Sequence, residues 1–354
     1  MTDFTAWPEV AARSIGGSVI ATNDELFAPA DNLINDGPAV HDATAFSARG
    51  KVYDGWETRR RRPDRGQGVD WAVIRLGAPA VIRGVVVDTA FFTGNFPPFA
   101  SIEGTTLLGY PSPDEVLAAC WTPLLDKTEL DGDTANAFAV SVAERLITHV
   151  RLSIYPDGGV ARLRVHGEIV ADPRFLGGRI DLAATVHGAR ITGCSNMFYA
   201  SPANLIAPGR SRVMSDGWET ARRRDDRNDW ITVALAGAAF VDDVVIDTSR
   251  FVGNAPGQVR LTDAATGAEL LGLTRLQPDT EHRFRAADRE PVTEVRVDVF
   301  PDGGLSRLRV NGRLTDVTKA DVASRWLSLL PPDLAIGMDP ATFFDLACPP
   351  EGLA

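Results

Sequence analysis

Two carboxylates and a run of guanidiniums lie together in Asp54-Gly55-Trp56-Glu57-Thr58-Arg59-Arg60-Arg61-Arg62. The block returns as Asp216-Gly217-Trp218-Glu219-Thr220-Ala221-Arg222-Arg223-Arg224. Carboxyl groups in such company can divide proton transfer between a protonated acid and an ionised base, since burial raises a carboxyl pKa and a nearby guanidinium lowers it. The planar fork of arginine is the side chain best suited to grip a carboxylate or a urea-like carbonyl. Glu57, Asp54, Glu219 and Asp216 are therefore the candidate catalytic residues, and Arg60, Arg61, Arg222 and Arg223 candidate substrate contacts. The structural alternative is a salt-bridge cluster that pins a loop, turned at Gly55 and Gly217 and anchored by Trp56 and Trp218. The run Arg59 to Arg62 repels itself more than nearby acids can offset, and an anionic ligand would relieve it.

Other pairs run in parallel with this block. Asp88-Thr89 with Gly94-Asn95 returns as Asp247-Thr248 with Gly253-Asn254, and Pro156-Asp157-Gly158-Gly159 returns as Pro301-Asp302-Gly303-Gly304. Asn95 and Asn254 are candidate ligand contacts, although Asx-turns that satisfy the local backbone are the more ordinary use of such residues. Arg162 with Arg164, and Arg307 with Arg309, alternate on a strand and share a face, either solvated or the wall of an anion pocket; on the second reading Arg162 and Arg307 bind substrate. The copies also differ. The first has Asp24-Glu25 and Arg59 where the second has Asn196-Met197 and Ala221, which predicts that the first carries more of the chemistry.

The elements that must position these groups are strands. The Asp-Gly-Trp-Glu blocks are offset by 162 residues (216 − 54), and five colinear matches make the chain two copies of one module. Each copy has the size of a domain with its own core, far above the roughly 20 to 50 residues of solenoid repeats. Val150-Leu152-Ile154 and Val295-Val297-Val299 alternate with polar residues, while Val85-Val86-Val87 and Val244-Val245-Ile246 are β-branched runs between Gly, Pro, Asn and Asp clusters. Many short strands predict an all-β chain of two tandem jelly-roll β-sandwich modules, 1–172 and 173–313. A tail, 314–354, follows, with a short helix over Thr318–Leu330 that places Val322, Trp326, Leu329 and Leu330 on one face and stops at Pro331-Pro332.

The net charge of −11 argues against nucleic acid or an anionic membrane as the main partner. No apolar run approaches the ~20 residues of a membrane span, and the N-terminus lacks a signal pattern, so the expected location is cytoplasmic. Cys120, Cys194 and Cys348 are an odd, scattered set, and the five histidines show no metal-ligand spacing; the expectation is no metal and no cofactor. Two sandwich modules with an unassigned helical tail point to a homo-oligomer.

The repeated Asp-Gly-Trp-Glu-Thr-(Arg/Ala)-Arg-Arg-Arg block resembles the allantoicase (allantoate amidinohydrolase) family. So does its company: Phe27 to Ile34, Asp70-Trp71, Asp88 to Asn95 and Tyr155 to Gly159. The resemblance covers about residues 15 to 312 in the family's order. It implies two jelly-roll modules related to discoidin-type galactose-binding-like domains, and hydrolysis of the small molecule allantoate to ureidoglycolate and urea in purine and ureide breakdown. Family members often carry His where this chain has Asn228, His within the stretch that is Ser249 to Val252 here, and Gly at Ala200. If those histidines are catalytic in relatives, this chain uses other groups or acts on a related ureide. The competing class is a non-catalytic or diverged ureide-binding protein built from two discoidin-like modules.

Overall fold

The computed structural model describes residues 4–62, 68–287 and 290–344. The chain is mostly β and divides into two compact units. One comprises the residues up to Val170 with Leu327–Ile336, the other Ala171–Trp326 with residues 337–344.

One 19-residue strand, Asp70–Asp88, organises the first unit. Its first half pairs with Ser18–Thr22 and Ile147–Tyr155, and the latter leads on to Phe99–Thr105 and Thr122–Glu129. Its second half pairs with Arg162–Ile169 on one side and Ala135–Ala139 on the other. The pairing with Ile147–Tyr155 slips between Arg75 and Ala80, so the strand passes from one sheet to the other through an irregularity at Leu76-Gly77-Ala78-Pro79. The two layers enclose an apolar core that includes Ile74, Val85, Val87, Ile102, Leu152 and Leu163.

The second unit repeats this plan on Asp229–Asp247, which pairs with Arg190–Cys194 and Val292–Phe300, then with Arg307–Leu314 and Glu281–Arg285. The all-β, two-sandwich expectation holds. Beside the many short strands stand two of 19 residues, each of which changes sheet at an irregularity that contains Pro79 or Gly237. The tail helix runs Asp316–Leu329 and buries Trp326 and Leu329, with Val322 packed on the second core. Among the described residues, no helix is long and apolar enough to cross a membrane.

Candidate active site

In each module a two-residue strand carries the motif glutamate. Trp56–Glu57 pairs with Gly159–Val160 and bridges to Ala28; Trp218–Glu219 pairs with Gly304–Leu305 and bridges to Ala200. The tryptophan of each pair is fully buried, so the alternation of a strand turns the following glutamate the other way. Gly-Gly is required opposite. Gly158 and Gly303 have φ of +147° and +130°, and a Cβ on Gly159 or Gly304 would lie 2.0 or 1.9 Å from the rings of Phe92 and Phe251. Asn32 and Asn204 brace the motif from below, donating from Nδ2 to the carbonyls of Gly55 (3.0 Å) and Gly217 (2.9 Å).

The turn after the long strand then meets the glutamate. Asp88 and Asp247 form Asx-turns, accepting from Ala90 N–H at 2.9 Å and Ser249 N–H at 2.8 Å. Asn95 and Asn254 do something else. Their carbonyls accept from Gly159 N–H (2.8 Å) and Gly304 N–H (2.9 Å), which docks the turn on the motif strand. Their Nδ2 groups donate to Glu57 Oε1 at 2.8 Å and Glu219 Oε1 at 2.6 Å. The Oε2 atoms of both glutamates take no hydrogen bond among the described residues. Burial raises the Glu57 carboxyl above the ordinary carboxylate range, against the opposing pull of Asn95 and Arg60. In the second module a cleft of about 550 Å³ brings together Glu219, Asn254, Arg222, Arg223 and Tyr199.

The arginines separate into two kinds. Arg61 donates its N–H to Asp157 Oδ2 (2.6 Å) and its guanidinium to Asp70 Oδ1 (2.6 Å), an acid with no exposed surface. Arg223 likewise donates to Asp302 Oδ2 (2.7 Å) and, from Nε and Nη2, to buried Asp229 Oδ1 (3.0 and 2.8 Å). Both are braces. Arg60 and Arg222 are exposed and make no hydrogen bond or ion pair among the described residues, which leaves their forks for a ligand. The imbalance expected along Arg59 to Arg62 is partly cancelled, because Arg59 Nε also reaches Asp24 Oδ2 at 2.6 Å.

Four of the expected site residues are placed elsewhere. Arg162 is 2% exposed and donates to the carbonyls of Gly37 (3.1 Å) and Asp54 (3.0 Å) and to Asp54 Oδ2 (2.7 Å). Arg307 is also buried and holds the carbonyls of Gly209 (3.0 Å) and Asp216 (2.6 Å). Arg164 and Arg309 share these faces and grip the same turns at Gly37 and Gly209. The face is thus neither solvated nor a pocket wall; it clamps the loop preceding each motif. Burial pushes the Asp54 carboxyl up, but Arg162 and the Val40 N–H outweigh it and leave it below the ordinary range. Asp216 is held low in the same sense by Arg212 against burial. Carboxyls tied to loop closure in this way are poor proton donors.

The difference between copies has a local cause. Arg59 N–H and Leu26 N–H donate to Asp24 Oδ1, at 3.0 and 3.1 Å, as Ala221 N–H and Phe198 N–H donate to Asn196 Oδ1. Asp24 and Arg59 neutralise each other, and Glu25, the remaining extra charge of the first module, accepts from Ala30 N–H at 3.0 Å, so both extra carboxylates are engaged outside the Glu57–Asn95 contact. Asn228, at the expected histidine position, turns its Nδ2 to Asp298 Oδ1 at 2.9 Å. Among the described residues, no group of three or more His, Cys, Asp or Glu is arranged to hold a metal ion.

A family model, the allantoicase repeat, matches residues 8–170 and 180–315, one match on each module. The chain belongs to the allantoicase family. A probable allantoicase of Nocardia farcinica is 52% identical over 318 residues, covering 88% of this chain and 95% of the relative. One from Streptomyces coelicolor is 49% identical over 337 residues, covering 91% and 89%. The crystal structure of allantoicase from Saccharomyces cerevisiae superposes with a TM-score of 0.76 at 35% identity, covering 86% of this chain and 92% of the yeast protein. Tyr199, unrecognised from sequence, joins the allantoicase motif residues in the cleft. It stood within the repeat as the counterpart of Phe27, and the hydroxyl gained there was the available signal.

Proposed function

We infer that this chain hydrolyses allantoate to ureidoglycolate and urea, with the paired glutamate and asparagine and the adjacent free arginine as the chemical centre. Allantoate is a carboxylate whose α-carbon bears two ureido groups. Arg60 or Arg222 holds the carboxylate through its planar fork. The asparagine fixes one oxygen of the glutamate and leaves Oε2 to carry the proton. The protonated carboxyl gives that proton to the nitrogen of the departing ureido group as its C–N bond breaks, and the electron pair leaves with the nitrogen. The resulting carboxylate takes the N–H proton of the retained ureido group as a C=N bond forms. Water then adds across the imine, hydroxyl to carbon and proton to nitrogen, giving ureidoglycolate. One carboxyl cycling between acid and base closes the proton balance.

The observation that carries this reading is the same Glu–Asn contact beside an unengaged arginine, retained in both modules. The raised Glu57 pKa supports a proton held at the start of the cycle. The test is to incubate the purified protein with allantoate and count products. One urea and one ureidoglycolate per allantoate consumed are expected, and absence of urea release would overturn the assignment.

A further inference from the structure

The two copies of the site differ at the residue that packs beside the motif glutamate. Phe27 N–H donates to the Glu57 carbonyl at 3.2 Å, and Tyr199 N–H to the Glu219 carbonyl at 3.3 Å. The two are therefore structural equivalents, one with a phenol hydroxyl and one without. Tyr199 lines the second module's cleft with Glu219, Asn254 and Arg222. Its ring is held edge-on against Phe198 at 4.6 Å, and its hydroxyl has no partner among the described residues. The neighbouring position differs in the same sense. Arg59, half exposed and paired to Asp24, occupies the first copy where Ala221 stands in the second. The second cleft thus has a hydrogen-bond donor at a position where the first copy has none.

We propose that the second module's cleft carries the larger share of turnover, with the Tyr199 hydroxyl donating to the carbonyl oxygen of the departing ureido group. This rests on the allantoate reading above. As the C–N bond breaks, negative charge develops on the leaving nitrogen and spreads to its carbonyl oxygen. A donor aimed at that oxygen is worth more in the transition state than in the bound substrate, so it acts on kcat more than on KM. Glu219 supplies the proton to nitrogen while Tyr199 keeps its own, so the proton balance of the reaction is unchanged. Phe27 offers no such donor.

The test is a double-mutant cycle on the full chain with allantoate. Tyr199→Phe keeps the ring and its packing on Phe198, so the melting temperature stays at the wild-type value. kcat is expected to fall about tenfold or more, with KM changed less than threefold. Combined with Glu219→Gln, the substitution should cost nothing further, because both act on one cleft. Combined with Glu57→Gln, it should keep its full effect. An unchanged kcat for Tyr199→Phe overturns the proposal, as does a loss that persists undiminished on top of Glu219→Gln. A wild-type protein that releases no urea would instead overturn the underlying reading, and the two failures cannot be confused.

Discussion

Arg60 and Arg61 are adjacent in sequence and opposite in expected consequence. Arg61 holds Asp70 Oδ1 at 2.6 Å, and Asp70 is fully buried with Oδ2 unpartnered, so Arg61 is the cation nearest a carboxylate with no access to water. Replacing Arg61 by Ala leaves that charge uncompensated, which costs about 3 to 5 kcal/mol. For modules of this size each kcal/mol moves the melting temperature by roughly 2 to 4 °C, so a fall of about 6 to 20 °C is expected. Arg60 is exposed and bonds to nothing described, so Arg60→Ala should change stability by less than about 0.5 kcal/mol. Its effect should appear in kinetics. Losing charge-assisted hydrogen bonds to the substrate carboxylate, at about 1.5 to 3 kcal/mol, lowers kcat/KM by roughly 10- to 150-fold at the site it serves. The second module gives the same pair as Arg222 and Arg223. Thermal melts and steady-state urea release on the four alanine variants decide the matter. If Arg60→Ala and Arg222→Ala melt early while kcat/KM stays at the wild-type value, the division into clamp and brace is wrong.

Gly159→Ala places a methyl 2.0 Å from the buried ring of Phe92 and should cost about 1 to 3 kcal/mol by overpacking, whereas Gly94→Ala meets nothing within 4 Å; urea unfolding curves compare them. Partly buried Glu9 and buried His149, both of the first module, should oppose each other across mildly acidic pH. Burial raises Glu9 to about 7 despite Arg164 at 3.1 Å, so its contribution is full below about 4.5 and is lost as pH rises through 7. Burial lowers His149 to about 4, so its contribution is present above about 6.5 and is lost as pH falls through 4. Each amounts to something on the order of 3 kcal/mol. Stability profiles should therefore rise with pH in Glu9→Gln and fall with pH in His149→Gln, relative to a flatter wild type; unchanged profiles would contradict both assignments.

The module plan was legible because two copies of a sequence share one fold, and matches such as Asp70-Trp71 with Asp229-Trp230 fixed the alignment. The long strands were not, since Pro79 and Gly237 look like chain breakers until the sheet-to-sheet crossing is seen. Within the site, residue type pointed to Glu57, Arg60 and Asn95 but could not separate Arg60 from Arg61. That distinction depends on Asp70 being buried behind Arg61, a matter of depth and not of local pattern. Arg162 and Asp54 are 108 positions apart, and their mutual satisfaction has no local trace. The Asp24–Arg59 pair did leave one: both charges vanish together in the second copy, as Asn196 and Ala221.

The central claim is that urea leaves allantoate by proton transfer from the motif glutamates. Turnover of the Glu57→Gln/Glu219→Gln double variant tests it most directly, because glutamine keeps the size of each side chain and removes only its transferable proton. Urea release is expected to fall by about 10²-fold or more with the melting temperature retained. A double variant that folds and releases urea at the wild-type rate would contradict it.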